Sequence, residues 1–162
     1  MKALTVRQPF AGLIALGRKT IEFRSRPLPK TLLGRTVAIH AGKAWHPWVL
    51  PDGAVMEFVR LIEGLHPEVL NAGDVARMRP MFWQDPHTAE IHLVHPKCRE
   101  RGKIIGAARF SACREAVEED GHCPGWTPDA KFAWIMQDAV AFNMPTDATG
   151  RQGPWAVDRE QF

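Results

Sequence analysis

Three cations and one carboxylate fall within eight residues, Gly17-Arg18-Lys19-Thr20-Ile21-Glu22-Phe23-Arg24, directly after an apolar run and before a proline-broken loop. Lysine serves an anion as a flexible point charge, and arginine grips it with a planar fork. Glu22 is the only acidic residue among the first 43. A carboxylate so placed can hold an arginine or accept hydrogens from a base's exocyclic amino group. An exposed strand edge carrying a Glu–Arg pair has the same spacing. His40 and Lys43 close a second apolar run, Val37-Ala38-Ile39, and Trp45 and Trp48 follow. Either tryptophan offers a stacking face to an unpaired base, typically worth ~1–3 kcal/mol, or anchors a loop in the core.

Metal chemistry has one candidate. His92-x-x-His95-x-x-Cys98 carries ligand types at usable spacing, and His122-Cys123 adds two more. Without a repeated cysteine pair, scattered surface histidines explain these residues as well, so no metal and no cofactor is assigned. Walker-type loops, Gly-x-Ser-x-Gly and His-Glu-x-x-His do not occur.

The charge is unevenly distributed. Residues 1–43 hold nine Lys or Arg against Glu22, a net of +8, whereas the remaining 119 hold 12 basic and 17 acidic residues, a net of −5. A basic segment on an acidic body predicts a local positive field that attracts an anion, nucleic acid first among candidates; a solvated basic face is the alternative. No apolar run approaches the roughly 20 residues needed to cross a bilayer. Arg7, Gln8 and Pro9 interrupt what would be a signal-peptide core, and three cysteines without framework spacing suit a reducing compartment. A cytosolic protein is expected, and 162 residues suit a single domain.

These side chains need elements to position them. Lys2 to Val6 reads as a short strand. Pro9 opens a helix through Phe10, Leu13, Ile14 and Leu16, which Gly17 ends. An extended segment then places Ile21 and Phe23 toward a core and Thr20, Glu22 and Arg24 on the other face, with Lys19 free to swing toward them. Ser25 to Gly34 is a loop, Thr36 to Ala41 a buried strand, and 44–48 a loop. Spacing predicts an amphipathic helix over 54–65 capped by Asp52, and a second helix over 68–79. Strands are expected at 90–94, at 103–110 with Gly106 marking a bulge or close approach, at 131–142, and at 154–157; 113–128 reads as loop with a helical turn. The order suggests α+β with a small closed or nearly closed sheet.

With the motif placed, a family resemblance appears. Gln8-Pro9-Phe10-Ala11, Gly17-x-Lys19-x-x-Glu22-x-Arg24 and Ile39-His40-Ala41-Gly42-Lys43 resemble the signature of ASCH domains. So do Ile105-Gly106, Phe132-Ala133-Trp134-Ile135 and Gly150-x-Gln152-Gly153-x-Trp155. The resemblance spans 1–162 as one domain, with an insertion near 74–101. It implies a PUA-like fold, a small β-barrel flanked by helices with a cleft carrying the motif. It also implies that Lys19, Glu22, Arg24 and Lys43 line that cleft, beside Gln8 and Trp45. The ligand would be RNA, another single-stranded nucleic acid or a nucleoside.

Two functional classes stay open, a binding module and a hydrolase. Some ASCH proteins are amidohydrolases of N4-acetylcytidine with a lysine, a threonine and a glutamate at work. Here the lysine falls on Lys19, but the threonine's place is held by Glu22, which is no hydroxyl nucleophile. Thr20 is wrongly placed to substitute, and Glu115 and Glu118 are the only guesses for the third residue. Other ASCH proteins are reported as ribonucleases. Cleavage through the RNA's own 2′-OH needs a base, an acid and a cation, for which His40, Lys19 and Lys43 have suitable chemistry, with Glu22 positioning a lysine or holding a metal. His40 also fits a satisfied structural histidine. Lys19→Ala and Glu22→Ala are expected to weaken RNA binding without unfolding the protein.

Overall fold

The computed structural model describes residues 1–49, 55–57, 83–84, 91–92 and 95–158. In chain order they form β1 (Lys2–Gln8), α1 (Phe10–Ala15), β2 (Ile21–Arg24), β3 (Thr36–Trp45), β4 (Pro47–Val49), β5 (Val55–Glu57), β6 (Trp83–Gln84) and β7 (Ile91–His92). A 3-10 turn at Pro96–Arg99, β8 (Lys103–Glu115), a second 3-10 turn at Glu118–His122, β9 (Phe132–Asp147) and β10 (Pro154–Ala156) complete them. Six strands make one sheet in the order β10-β1-β3-β8-β9-β2. Only β1 and β3 pair in parallel; every other neighbour in the sheet is antiparallel.

The sheet curls into a half-barrel. Register shifts interrupt β1–β3, β3–β8 and β8–β9, three of them in the last pair, and such bulges sharpen local twist. Across the opening, a side chain reaches from one strand to another: Arg24 Nη2 donates to Thr5 O at 3.2 Å. Val37, Ala38 and Ile39 are all fully buried, because both faces of β3 are covered. On one face Leu4, Ile39, Ile105 and Phe110 pack with α1; on the other, Ala3, Ala38 and Ile104 pack with Phe142 and Trp155.

All six residues of α1 are buried, so the helix lies tight against the sheet. Gly106 makes this approach possible. A Cβ there would stand 2.4 Å from Val140 O and 2.7 Å from Ala15 Cβ. Both expectations for this glycine hold, since the strand register also shifts between Ile104 and Gly106. Gly106→Ala is therefore expected to cost about 1–3 kcal/mol as an overpacking substitution against backbone that cannot swing aside. A urea titration with an unchanged slope and a lowered midpoint would show it.

Several elements differ from the sequence reading. Val55–Glu57, expected to open a helix over 54–65, is a strand paired with Pro47–Val49. Pro51-Asp52-Gly53, residue types that favour turns, lies in sequence between the two strands. The rest of that segment, the Asp52 cap and the expected helix over 68–79 lie outside the described residues. Among the described residues the only α-helix is α1, so the sheet is not seen flanked by several helices. Residues 44 and 45, expected in a loop, continue β3, and 47–49 form β4. β8 and β9 each run five residues beyond their expected ends. No described helix is long and apolar enough to cross a membrane.

Candidate functional site

The site begins at the end of α1. Gly17 takes φ 70°, its N–H bonds to Ile14 O at 2.9 Å, and the Arg18 N–H bonds to Leu13 O at 2.8 Å. This pair of bonds is the Schellman motif, in which a left-handed glycine reverses the chain. The Lys19 N–H reaches Leu13 O as well, at 3.1 Å, and its side chain turns inward to 2% exposure.

Inside, Lys19 Nζ donates to the carbonyls of Ile21 and Pro124, the latter at 2.6 Å, and lies 3.5 Å from Glu22 Oε2. Three acceptors match the three hydrogens of an ammonium. The rings of Phe10 and Phe23 flank it at 5.2 and 5.1 Å. Burial lowers the Lys19 pKa from the ordinary lysine value, and Glu22 opposes that shift. Two carbonyls and a carboxylate aimed at one nitrogen hold the charged form. Lys19 thus ties the motif to the 116–131 loop that carries Pro124.

Glu22, on β2 opposite Trp134, is 8% exposed and sits between two cations. Its Oε1 accepts from Arg24 Nη2 at 3.1 Å while Oε2 faces Lys19. Arg24 is braced further by Thr5 O and lies over the Trp134 ring at 5.6 Å. The burial of this strand departs from the inferred alternation: Ile21, Phe23 and Arg24 are half-buried, and Glu22 is the buried one. Glu22 faces the inside of the curl, paired with Lys19 and Arg24, while Arg24 Nε stays buried without a partner.

A cleft of about 710 Å³ opens over this carboxylate. Its lining includes Glu22, Arg24, His40 and Lys43, four of the residues singled out in the sequence. Lys19 does not line it. Gln8 is fully buried, its Nε2 donating to Lys97 O and Glu100 O and its Oε1 accepting from Gly12 N–H, so its amide is used up in holding the chain together. Trp45 is half-buried, packs against the main core and carries Arg101 over its ring at 5.5 Å; it is not among the lining residues. Glu115 and Glu118 are exposed and also outside the lining.

Sequence reasoning missed part of this wall. Arg7, Phe10 and His46 line the cleft, as do Gly125 and the loop Ala148–Gly153 with Arg151. Arg7 lay in view within the basic segment, and Gly150 and Gly153 within the family resemblance, but no local pattern joins residues so distant in the chain. Four cations line the cleft, Arg7, Arg24, Lys43 and Arg151, against the single carboxylate of Glu22. Anionic ligands are therefore favoured. The Phe10 and His46 rings lie 4.6 Å apart, tilted by 58°, and Phe23 joins them as an aromatic wall.

His40 is 2% exposed. Its Nε2 lies 3.0 Å from Ala148 O, so that nitrogen carries the hydrogen and Nδ1 is left as an acceptor with no partner. Gly150 covers it: a Cβ at this glycine would meet His40 Nδ1 at 2.7 Å and Thr5 Oγ1 at 3.0 Å. Burial lowers the pKa of His40, as it does for His46 and His95. An unfolded chain therefore takes up protons on these residues at a higher pH than the folded one. Stability is expected to be full above the ordinary histidine value of 6.5 and to fall as pH drops below it. Urea midpoints between pH 8 and 5 check this, and a flat profile in His40→Gln compared with the parent would identify His40 as its main source.

Of the metal candidates, His95 Nδ1 accepts from Lys97 N–H, and Cys98 is buried with its thiol pushed up to about 12 by desolvation. No group of three or more ligand-type side chains converges among the described residues.

No family model matches the sequence. Solved structures do. The ASCH protein of Zymomonas mobilis is similar over 99% of this chain and 89% of its own, with a TM-score of 0.52 at 14% identity. A serine-to-alanine variant of that protein gives 0.51 over the same shares at 14%, and a tyrosine-to-phenylalanine variant gives 0.50 over 99% and 91%, also at 14%. A curled six-stranded sheet, one helix packed against it and agreement along the whole chain together make this the fold of an ASCH domain.

Proposed function

We propose that the cleft binds single-stranded RNA or a nucleobase-containing ligand. The observation that carries this reading is the lining itself: four cations, one carboxylate and the rings of Phe10, Phe23 and His46 around about 710 Å³. Cations serve the phosphates, rings take a base by stacking, and a carboxylate accepts base hydrogens. Pockets of roughly 300–1,000 Å³ suit small ligands, so one nucleotide fits with room for its neighbours. Glu22, Arg24 and Lys43 are the contact residues in this reading, joined by Arg7, Arg151 and the rings. Lys19 acts through Glu22 by fixing its carboxylate, and Gln8 and Trp45 support the frame.

A ribonuclease reading has one observation in its favour, the unpartnered Nδ1 of His40 beside the cleft. It is a neutral base in form, but Gly150 covers it, so the loop at 148–153 would have to move before a 2′-OH could reach it. Amidohydrolysis through Lys19 is disfavoured, because its ammonium is held by three acceptors and Glu22 is the motif's neighbouring group.

Labelled single-stranded RNA separates these readings. Binding that weakens steadily with added salt and leaves the RNA intact is the expected result. Strand scission that persists with EDTA and disappears in His40→Gln would transfer the assignment to the ribonuclease. Unchanged mobility at low salt and high protein concentration would remove the cleft reading altogether.

A further inference from the structure

We infer that the cleft selects guanine, an inference that rests on the nucleic-acid reading above and adds the identity of the base. It follows from the order of donors and acceptors that Arg24 and Glu22 present side by side. The guanidinium of Arg24 carries only donors, and the ionised carboxylate of Glu22 carries only acceptors. Oε1 is the oxygen next to Arg24, at 3.1 Å from Nη2, and Oε2 is the oxygen on the Lys19 side, at 3.5 Å from Nζ. Nη2 spends its two hydrogens on Thr5 O and Oε1, and Nε is buried, so the donor that Arg24 keeps for a ligand is Nη1, and the order is donor, acceptor, acceptor. Each carboxylate oxygen has two lone pairs, and the cations described use one apiece, so both oxygens can still accept from a ligand.

Guanine is the complement. Its O6 accepts, while N1–H and the N2 amino group donate, in that order along one edge. Placed on this pair, O6 faces Arg24, N1–H faces Oε1 and N2–H faces Oε2. The other bases fail at a defined place. Adenine turns its N6 amino hydrogens toward Arg24 and its N1 lone pair toward a carboxylate oxygen. Cytosine does the same and adds O2 against the second oxygen. Uracil matches O4 and N3–H but sets O2 against Oε2. Each mismatch leaves like partners facing each other in a cleft where Glu22 is 8% exposed and water compensates poorly.

The pair is built to keep this order. Arg24 is braced by Thr5 O at 3.2 Å and by the Trp134 ring, and Glu22 is braced by Lys19, which is itself fixed by the Pro124 carbonyl. Phe23 and His46, both half-buried, stand in the same lining with rings that can take the face of a purine, while Lys43 and Arg151 provide for its phosphate. A pre-set pair of charged side chains under aromatic rings selects between bases without reorganising.

The test is calorimetric titration of the parent protein with GMP, IMP, AMP, CMP and UMP, and with RNA oligomers that contain or lack guanine. GMP is expected to bind at least tenfold more tightly than AMP, CMP or UMP. IMP, which lacks the N2 amino group, should lose most of that margin. Glu22→Gln replaces one acceptor by a donor and should bring the four nucleotides to within about threefold of one another; circular dichroism reports whether it folds, and the parent panel stands without it. Equal affinities across the nucleotides with salt-dependent RNA binding would overturn guanine selection and leave the cleft reading intact. Absence of both nucleotide and RNA binding would overturn the two together. A preference for guanine-bearing oligomers identifies RNA as the source of the base; a preference confined to GMP identifies the free nucleotide.

Discussion

Lys19→Ala is expected to destabilise the protein by about 3–5 kcal/mol, the range for breaking a buried ion pair by removing one partner. The side chain is 1% exposed, and truncation strips hydrogen-bond donors from the Ile21 and Pro124 carbonyls at once. It leaves Glu22 leaning on Arg24 alone and opens a void between Phe10 and Phe23. A change of this size is a large fraction of the roughly 5–15 kcal/mol that holds an ordinary domain. Urea unfolding gives the number. Hydrogen exchange gives the location, because the amides around 117–126 should lose protection before the sheet does. Lys19→Met keeps most of the volume and should recover part of the loss while restoring no carbonyl bond. This reverses the expectation from sequence that Lys19→Ala would spare the fold.

The second large effect concerns affinity. Arg7, Lys43 and Arg151 line the cleft, are exposed, and have no ion-pair partner among the described residues. Replacing all three by alanine is expected to weaken single-stranded RNA binding by about 30- to 100-fold at low salt, while leaving the free energy of unfolding in urea within about 0.5 kcal/mol of the parent. The slope of log affinity against log salt should shrink by about 2, since each phosphate contact on a single strand contributes roughly 0.7. An unchanged slope would mean that RNA binds elsewhere on the protein. In the proposed reading the two sets of substitutions separate the roles: Lys19 governs the frame, and the outer cations Arg7, Lys43 and Arg151 govern the ligand.

The part of this site legible in the sequence was the part written locally. The apolar spacing of α1 and its closing glycine carry a signal within ten residues, and the Schellman bonds of Gly17 and Arg18 follow from it. The positive field was legible because charge adds up without knowledge of fold, and the cleft lining carries the same sign. Burial of Glu22 was not legible. Alternation names two faces of a strand but not which one looks inward, and apolar Ile21 and Phe23 drew the assignment to the wrong side. Gln8 shows the same limit: its partners at Lys97 and Glu100 are about ninety residues away. Val55–Glu57 went to helix because three residues of strand cannot outvote an apolar period of the right length.

The turn that ends α1 bears on more than this one chain. Each interval between Gly17, Lys19, Glu22 and Arg24 meets a structural need. The first allows the left-handed reversal, the second delivers an ammonium to the interior, and the third steps along a strand to its own counter-charge. The pattern is thus a mark of architecture before it is a mark of chemistry. Another chain that carries it can be expected to share the reversal and the buried cation. Its reaction, or lack of one, would be decided by the side chains that later segments bring to the rim, as residues 148–153 do here.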